Sequence, residues 1–240
     1  MADVVETLGG PVSLAPSRVL AGSLGPIEQT PLRVQVAEAL RAAIVTGQLL
    51  PGTALVETAL AEQLNVSRAP VREAIQDLEN DGLVETVAYR GKRVKPLTVR
   101  EVAEVCDLRQ RFEVLAVQRI LEQGTRVDLL WEPCRAMEGA ARAGDREALI
   151  AADEVFHRTL IRLSDHQLLA QLWAGLYLRI HQITSLRDDQ EVDLLDIAGT
   201  HPPIVAALES ENVDLAVRLV SRHADALADF DPASIAEKST

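Results

Sequence analysis

Three histidines and one aspartate in the second half of the chain have the types and spacing to do chemistry. Asp153 and His157 are four residues apart, hence one turn apart on one side of a helix. Leu149, Ala152, Phe156, Leu160 and Leu163 form an apolar face, and the pair lies on its edge. His201 shares a face with Ile204, Val205 and Leu208, and His223 falls inside a stripe of Ala216, Leu219, Leu227 and Phe230. Three separate helices thus point an imidazole inward, and one of them adds a carboxylate. A single inward histidine is usually a satisfied core residue. Four such polar groups buried without partners would cost about 1–3 kcal/mol each. A divalent ion removes that penalty: neutral imidazoles and a carboxylate suit Zn²⁺, Ni²⁺ or Mn²⁺, and bundle cores are where such sites are built. Activation of water by the ion would make a metal-dependent hydrolase, although no separate general base stands out. An ion that only braces the bundle is a third use. His166, beside Asp165 at a helix start, reads as a surface or capping residue, and His181 stays unassigned.

A second constellation lies earlier. Ser67-Arg68-Ala69-Pro70-Val71-Arg72 opens a helix, with Arg68 and Arg72 on one face. Ser67 suits the N-cap, and Pro70 is tolerated in the first turn, where its missing N–H has no intrahelical partner. The N-terminal end of a recognition helix points into the major groove, where arginine reaches guanine or grips a phosphate. Downstream, Arg90-Gly91-Lys92 places two cations around a glycine at a hairpin tip, suited to a groove or backbone contact. Two arginines alone would be ordinary solvated charges; the order of elements around them favours DNA.

Those elements follow from periodicity and punctuation. Val34, Val36, Ala37, Leu40 and Ile44 recur at helical spacing, and Gly47 and Pro51-Gly52 stop that helix. A short helix over 57–64 and a tight connection at Asn65-Val66 lead to the helix opened by Ser67, which Gly82 ends. Apolar segments at 83–88 and around 93–94 then read as a small β-hairpin. Three helices and a hairpin make a winged helix-turn-helix. Thr98-Val99-Arg100-Glu101 fits a capping box. Beyond it, helical segments are expected at 99–122, 127–143, 145–164, 166–187, 191–210 and 212–229, punctuated by Gly124, Gly144, Asp165 and Asn212. The expected fold is mainly α: an N-terminal winged helix-turn-helix with a small hairpin wing, then an all-α bundle. The expected organisation is a flexible leader over 1–30, a DNA-binding domain over 31–97, a metal- and effector-binding domain over 98–230, and a tail over 231–240.

Composition agrees with this. Of 240 residues, 48% are hydrophobic but only 3% aromatic, so aliphatic side chains must build the core. Net charge is −12, which at first argues against nucleic acid. Its distribution reverses that: residues 31–98 hold eight basic and eight acidic side chains, whereas 99–240 hold 15 and 25. Arg90, Lys92, Arg93, Lys95 and Arg100 sit in an acid-free run over 86–100, and such a patch can bind phosphate while the chain stays acidic. No apolar run suggests a membrane span, and the N-terminus lacks the basic residues of a secretory signal. Cys106 and Cys134 therefore read as free thiols in a reducing cytoplasm.

The run Gly47-Gln48-Leu49, Pro51-Gly52, Leu60-Ala61-Glu62, Val66 through Ala74, Leu78, Gly82-Leu83, Arg90-Gly91 and Val94 resembles the GntR family of bacterial transcription regulators over about residues 34–96. The resemblance implies operator contacts from Ser67, Arg68, Arg72 and Arg90-Gly91. Ala69 stands where the family commonly has Thr, and Thr58 where some members have a basic residue. Leu108-Arg109, Glu113, Asp153, Phe156-His157, His201, Ile204, Ala207, Ala216 and His223 resemble the FCD effector-binding domain of the FadR subfamily over about 99–230. That likeness implies a metal held by Asp153, His157, His201 and His223, with open positions for water or an organic acid. The family often has Glu before the histidine at 201; here Thr200 precedes it, and Pro202-Pro203 suggest that His201 sits at a helix start. Arg109 matches a family arginine near the cavity. It would either clamp an effector carboxylate or pair with Glu113 at i+4. The expected protein is a cytoplasmic, homodimeric, ligand-responsive repressor of double-stranded operator DNA, not an enzyme.

Overall fold

The computed structural model describes residues 30–187 and 193–234. The expected leader lies outside this range except for Thr30, as do the last six residues of the expected tail. The N-terminal elements are α1 (Leu32–Val45), β1 (Ala54–Leu55), α2 (Glu57–Gln63), α3 (Arg68–Asn80), β2 (Val84–Val87) and β3 (Gly91–Val94). The sheet order is β1-β3-β2, all antiparallel. The hairpin is as expected; β1 is an addition, since a strand of two residues leaves no alternation to read. Val36, Leu40, Ile44, Val71, Ile75 and Leu78 close one aliphatic core beneath α3.

The wing turn is tight. Tyr89 adopts φ 62° and Gly91 φ 87°. A Cβ on Gly91 would meet nothing, so its backbone angle rather than space calls for glycine.

The second part comprises α4 (Val99–Gln123), α5 (Trp131–Ala143), α6 (Arg146–Leu163), α7 (Gln167–Leu186), α8 (Leu194–Gly199), α9 (Pro202–Glu209) and α10 (Val213–Ala224). Its core is built on Phe156, Leu160, Ile161, Ile180, Ile183 and Ile204. The segment expected as one helix over 191–210 is two, α8 and α9, separated at Thr200-His201. Pro202 and Pro203 lack the N–H groups that would continue α8, and they are tolerated as the first residues of α9. His201 therefore occupies the N-cap position of α9, as the two prolines suggested. Short 3₁₀ turns at Asp128–Leu130 and Asp225–Leu227 replace the ends of two other expected helices.

Caps show local chemistry at work. Asp145, His166, Asn212 and Thr98 each accept a backbone N–H at a helix start. Ser67 holds the N-cap position of α3 but makes no side-chain cap bond, which leaves its hydroxyl exposed. The capping box at Thr98 is half formed, because Glu101 turns elsewhere. Its Oε1 accepts from Lys95 Nζ at 2.8 Å and from Arg179 Nη2 at 2.9 Å, and Arg179 Nη1 donates to Gln182 Oε1 at 2.7 Å. Lys95 follows the wing, Glu101 begins α4, and Arg179 and Gln182 are buried on α7. On the same helix, Leu178 packs against the N-terminal core. Both cysteines are free and buried; burial pushes the Cys134 thiol up to about 12. No described helix is long and apolar enough to cross a membrane.

A buried histidine cluster beneath an arginine-rimmed cavity

Helix α6 presents Asp153 and His157 one turn apart, α10 presents His223, and the α8–α9 break presents His201. One ligand atom from each of the four lies within 4.8 Å of every other. His157 and His201 are fully buried. Phe156, packed edge-on against both rings at centroid distances of 5.3 and 4.8 Å, fixes their planes. His157 Nε2 lies 3.0 Å from His223 Nε2 and 3.5 Å from Asp153 Oδ1, and His201 Nε2 lies 3.0 Å from the same oxygen.

Two side chains outside the cluster organise it. Thr200 donates its hydroxyl proton to Ile197 O at 2.7 Å, so towards His223 Nδ1 (3.1 Å) and His201 Nδ1 (3.3 Å) its oxygen can only accept. Protonation at Nδ1 leaves both Nε2 lone pairs aimed inward. Glu113 is fully buried on α4; its Oε1 accepts from Arg109 Nε at 2.9 Å and lies 3.1 Å from His157 Nδ1. Sequence reasoning named Glu113 as part of the FCD resemblance and as a partner for Arg109, and Thr200 only as a departure. Glu113 is far in sequence from His157, and Thr200, though beside His201, is far from His223, so only the folded chain shows those two contacts.

Arg109 forms the ion pair with Glu113 and also faces the cluster: its Nη2 is 2.9 Å from both His157 Nε2 and His223 Nε2. The two uses weighed for it are therefore compatible in space.

Electrostatics set the members of the cluster apart. Burial opposes ionisation of Asp153, but His157 and His201 outweigh it and hold the carboxyl well below its ordinary range. Burial also opposes charge on His157; Glu113 and Asp153 outweigh that, against Arg109, and raise it to about 9. Burial, then His201, Arg109 and His157, push His223 well below its usual value, so its ring is neutral.

The donor set fits a divalent ion on observations of this structure. His201 Nε2 and His157 Nδ1 make no hydrogen bond despite their close carboxylates. Two ring nitrogens 3.0 Å apart match neighbouring ligands each about 2.1 Å from one ion. Asp153 and His223 also form the floor of a cavity of about 330 Å³ between α6, α7, α8 and α10.

The DNA-facing candidates are arranged differently. Arg68 and Arg72 share one face of α3, with side chains 58% and 64% exposed. Both reach Glu57 of α2: Arg72 Nη2 at 2.9 Å and Arg68 Nη2 at 3.3 Å. Glu57, which the sequence reading did not single out, holds the two guanidiniums side by side, and its carboxyl is lowered mainly by Arg72. Ser67, Arg90 and Gly91 are exposed. Lys92 is not at the tip: it is half-buried in β3, with Nζ bonded to Glu79 of α3. Thr86 Oγ1 donates to the same carboxylate at 2.6 Å, so Glu79 ties the wing to α3. Tyr89 takes the apex instead, fully exposed.

The profile described as bacterial regulatory proteins, gntR family, matches residues 32–94, and that of the FCD domain matches 104–226. A probable D-xylose utilization operon transcriptional repressor of Paenarthrobacter nicotinovorans is 30% identical over 82% of this chain and 87% of its own. The chain belongs to the GntR family of bacterial regulators, with an FCD domain. The gluconate operon transcriptional repressor of Bacillus subtilis is 27% identical over 82% of this chain and 83% of its own. A GntR transcriptional regulator from Rhodococcus superposes with a TM-score of 0.72 at 25% identity, over 87% of this chain and 99% of its own. This GntR protein is thus a DNA-binding transcriptional regulator rather than the hydrolase its Asp/His cluster alone would have allowed.

Proposed function

We propose that this regulator represses transcription as a cytoplasmic homodimer on a pseudo-palindromic operator, under the control of a small organic acid bound over a divalent ion. Two-fold symmetry in the protein would match two DNA half-sites. Ser67, Arg68 and Arg72 at the start of α3, with Arg90 and Gly91 on the wing, would meet the duplex. Lys92 serves this surface by fixing the wing through Glu79. Relatives named as repressors of sugar and sugar-acid operons support the repressor reading.

Asp153, His157, His201 and His223 would hold Zn²⁺, Ni²⁺ or Mn²⁺. The bound ion would supply positive charge for a carboxylate at the cavity floor. Arg109, beside the same atoms, would share that carboxylate through its guanidinium. The acid acts only through unequal affinity for DNA-competent and DNA-incompetent arrangements. Helix α7 can carry this coupling: Thr184, with Arg187 just past the helix end, lines the cavity, while Arg179 and Leu178 engage the DNA-binding half.

The observation that carries the reading is the convergence of three imidazole nitrogens and a carboxylate at the floor of a cavity. The test uses a duplex selected from a random pool by the wild-type chain. Arg72→Ala should abolish its gel shift while metal content stays the same; a wild-type shift would defeat the proposal.

A further inference from the structure

The cavity above the cluster has two poles. At its inner end lie Arg109, Asp153 and His223, all largely buried. Nearer solvent lie Arg146, half-buried and on α6, and Arg222, exposed and next to His223 on α10. Helix α6 runs the length between them. Arg146 and Asp153 are seven residues apart, two turns on one face, or about 10 Å. Leu149 and Ile150 line the wall between, and Ile197 and Leu219 face them from α8 and α10.

The hydroxyl protons in this wall are already committed. Thr184 donates to Ile180 O at 2.9 Å, and Thr200 donates to Ile197 O at 2.7 Å. Leu149, Ile150, Ile197 and Leu219 offer no polar group, so hydroxyls lying against them would lose water and find only Thr184 Oγ1 as an acceptor, which is costly, whereas a hydrocarbon body gains from burial. At the rim, Arg146 spends one N–H on Arg187 O and keeps others. Arg222 makes no ion pair among the described residues. Among the described residues Asp196 is the one acid on the same rim, beside Arg146 and Arg222.

We infer that the effector is a dicarboxylic acid with a hydrocarbon body: one carboxylate lies at the Asp153/His223 end, and the other is gripped by Arg222 and Arg146. This rests on the reading of the cavity as an effector site, and it specifies the ligand class. It also separates this regulator from a receptor for a sugar acid, whose hydroxyls the aliphatic wall cannot satisfy.

The test is calorimetry on the full-length, zinc-loaded chain with adipate, hexanoate and D-gluconate, repeated with Arg222→Gln. This exposed substitution lies outside both hydrophobic cores. Adipate should bind at least about tenfold tighter than hexanoate, with gluconate weakest. Arg222→Gln should cut the advantage of adipate, leaving what Arg146 supplies, and leave hexanoate unchanged. Equal binding of adipate and hexanoate, or an advantage undiminished by Arg222→Gln, overturns the second anionic pole while leaving an acid effector standing. Tighter binding of gluconate overturns the hydrocarbon body. Binding of none of the three overturns this inference and the acid-effector reading together.

Discussion

Replacing Thr200 by valine would keep the shape of the side chain and delete one oxygen. That oxygen accepts from two rings, at 3.1 Å from His223 Nδ1 and 3.3 Å from His201 Nδ1, and its proton is committed to Ile197 O. Each accepted bond is worth about 1 kcal/mol net. Together they hold two imidazoles in the tautomer that points Nε2 at the metal position. Losing both costs about 2 kcal/mol, close to thirtyfold in affinity, within the 10–100-fold typical of partners that orient metal-binding histidines. Thr200 is exposed, so the metal-free chain should melt within a few degrees of wild type. Zinc affinity would be read by competition with a chromophoric chelator. Thr200→Ser, which restores the hydroxyl, should recover most of the loss. A Thr200→Val chain that binds zinc within twofold of wild type would refute the reasoning.

Other outcomes follow from the same geometry. Glu101→Ala leaves Arg179, only 8% exposed, without its carboxylate; breaking a buried pair costs about 3–5 kcal/mol, and partial exposure of Glu101 reduces this to about 2–3. Urea unfolding should show that loss, and an unchanged midpoint would remove the network as a brace between the two halves. In metal-free protein, His157 is raised from 6.5 to about 9, so its protonation contributes stability that is complete below pH 6.5 and fades as pH rises through 9. Metal affinity should climb over the same interval, because binding must displace that proton; a flat melting temperature across it would count against the pairing of His157 with Glu113 and Asp153. Tyr89→Gly relieves a left-handed residue at the wing apex and should leave stability equal or about 1 kcal/mol higher while weakening operator binding. Undiminished binding would show that the apex stays clear of DNA.

Much of this architecture could be read before folding, because the signals are local and periodic. Asp153 and His157 share a helix face by spacing alone, and His223 sits in an apolar stripe, so their inward direction was readable. Pro202-Pro203 marked His201 as a helix start, yet not the full break between α8 and α9. What escaped was the set of partners that meet only in space. Glu113 is 44 residues from His157, Glu57 reaches forward to Arg68 and Arg72, and Glu101 abandons its capping role for Arg179. Lys92 looked like a tip cation because a hairpin turn is placed from sequence only within a residue or two. The observed strand begins at Gly91, which turns Lys92 towards Glu79.

The central claim is that Asp153, His157, His201 and His223 make one cation site. The direct measurement is metal content per chain, by mass spectrometry, of tag-free protein equilibrated with zinc, for wild type and for His157→Ala paired with His223→Ala. One equivalent in the wild type and almost none in the double variant is the expected result. Equal metal in both, or none in either, would contradict the account.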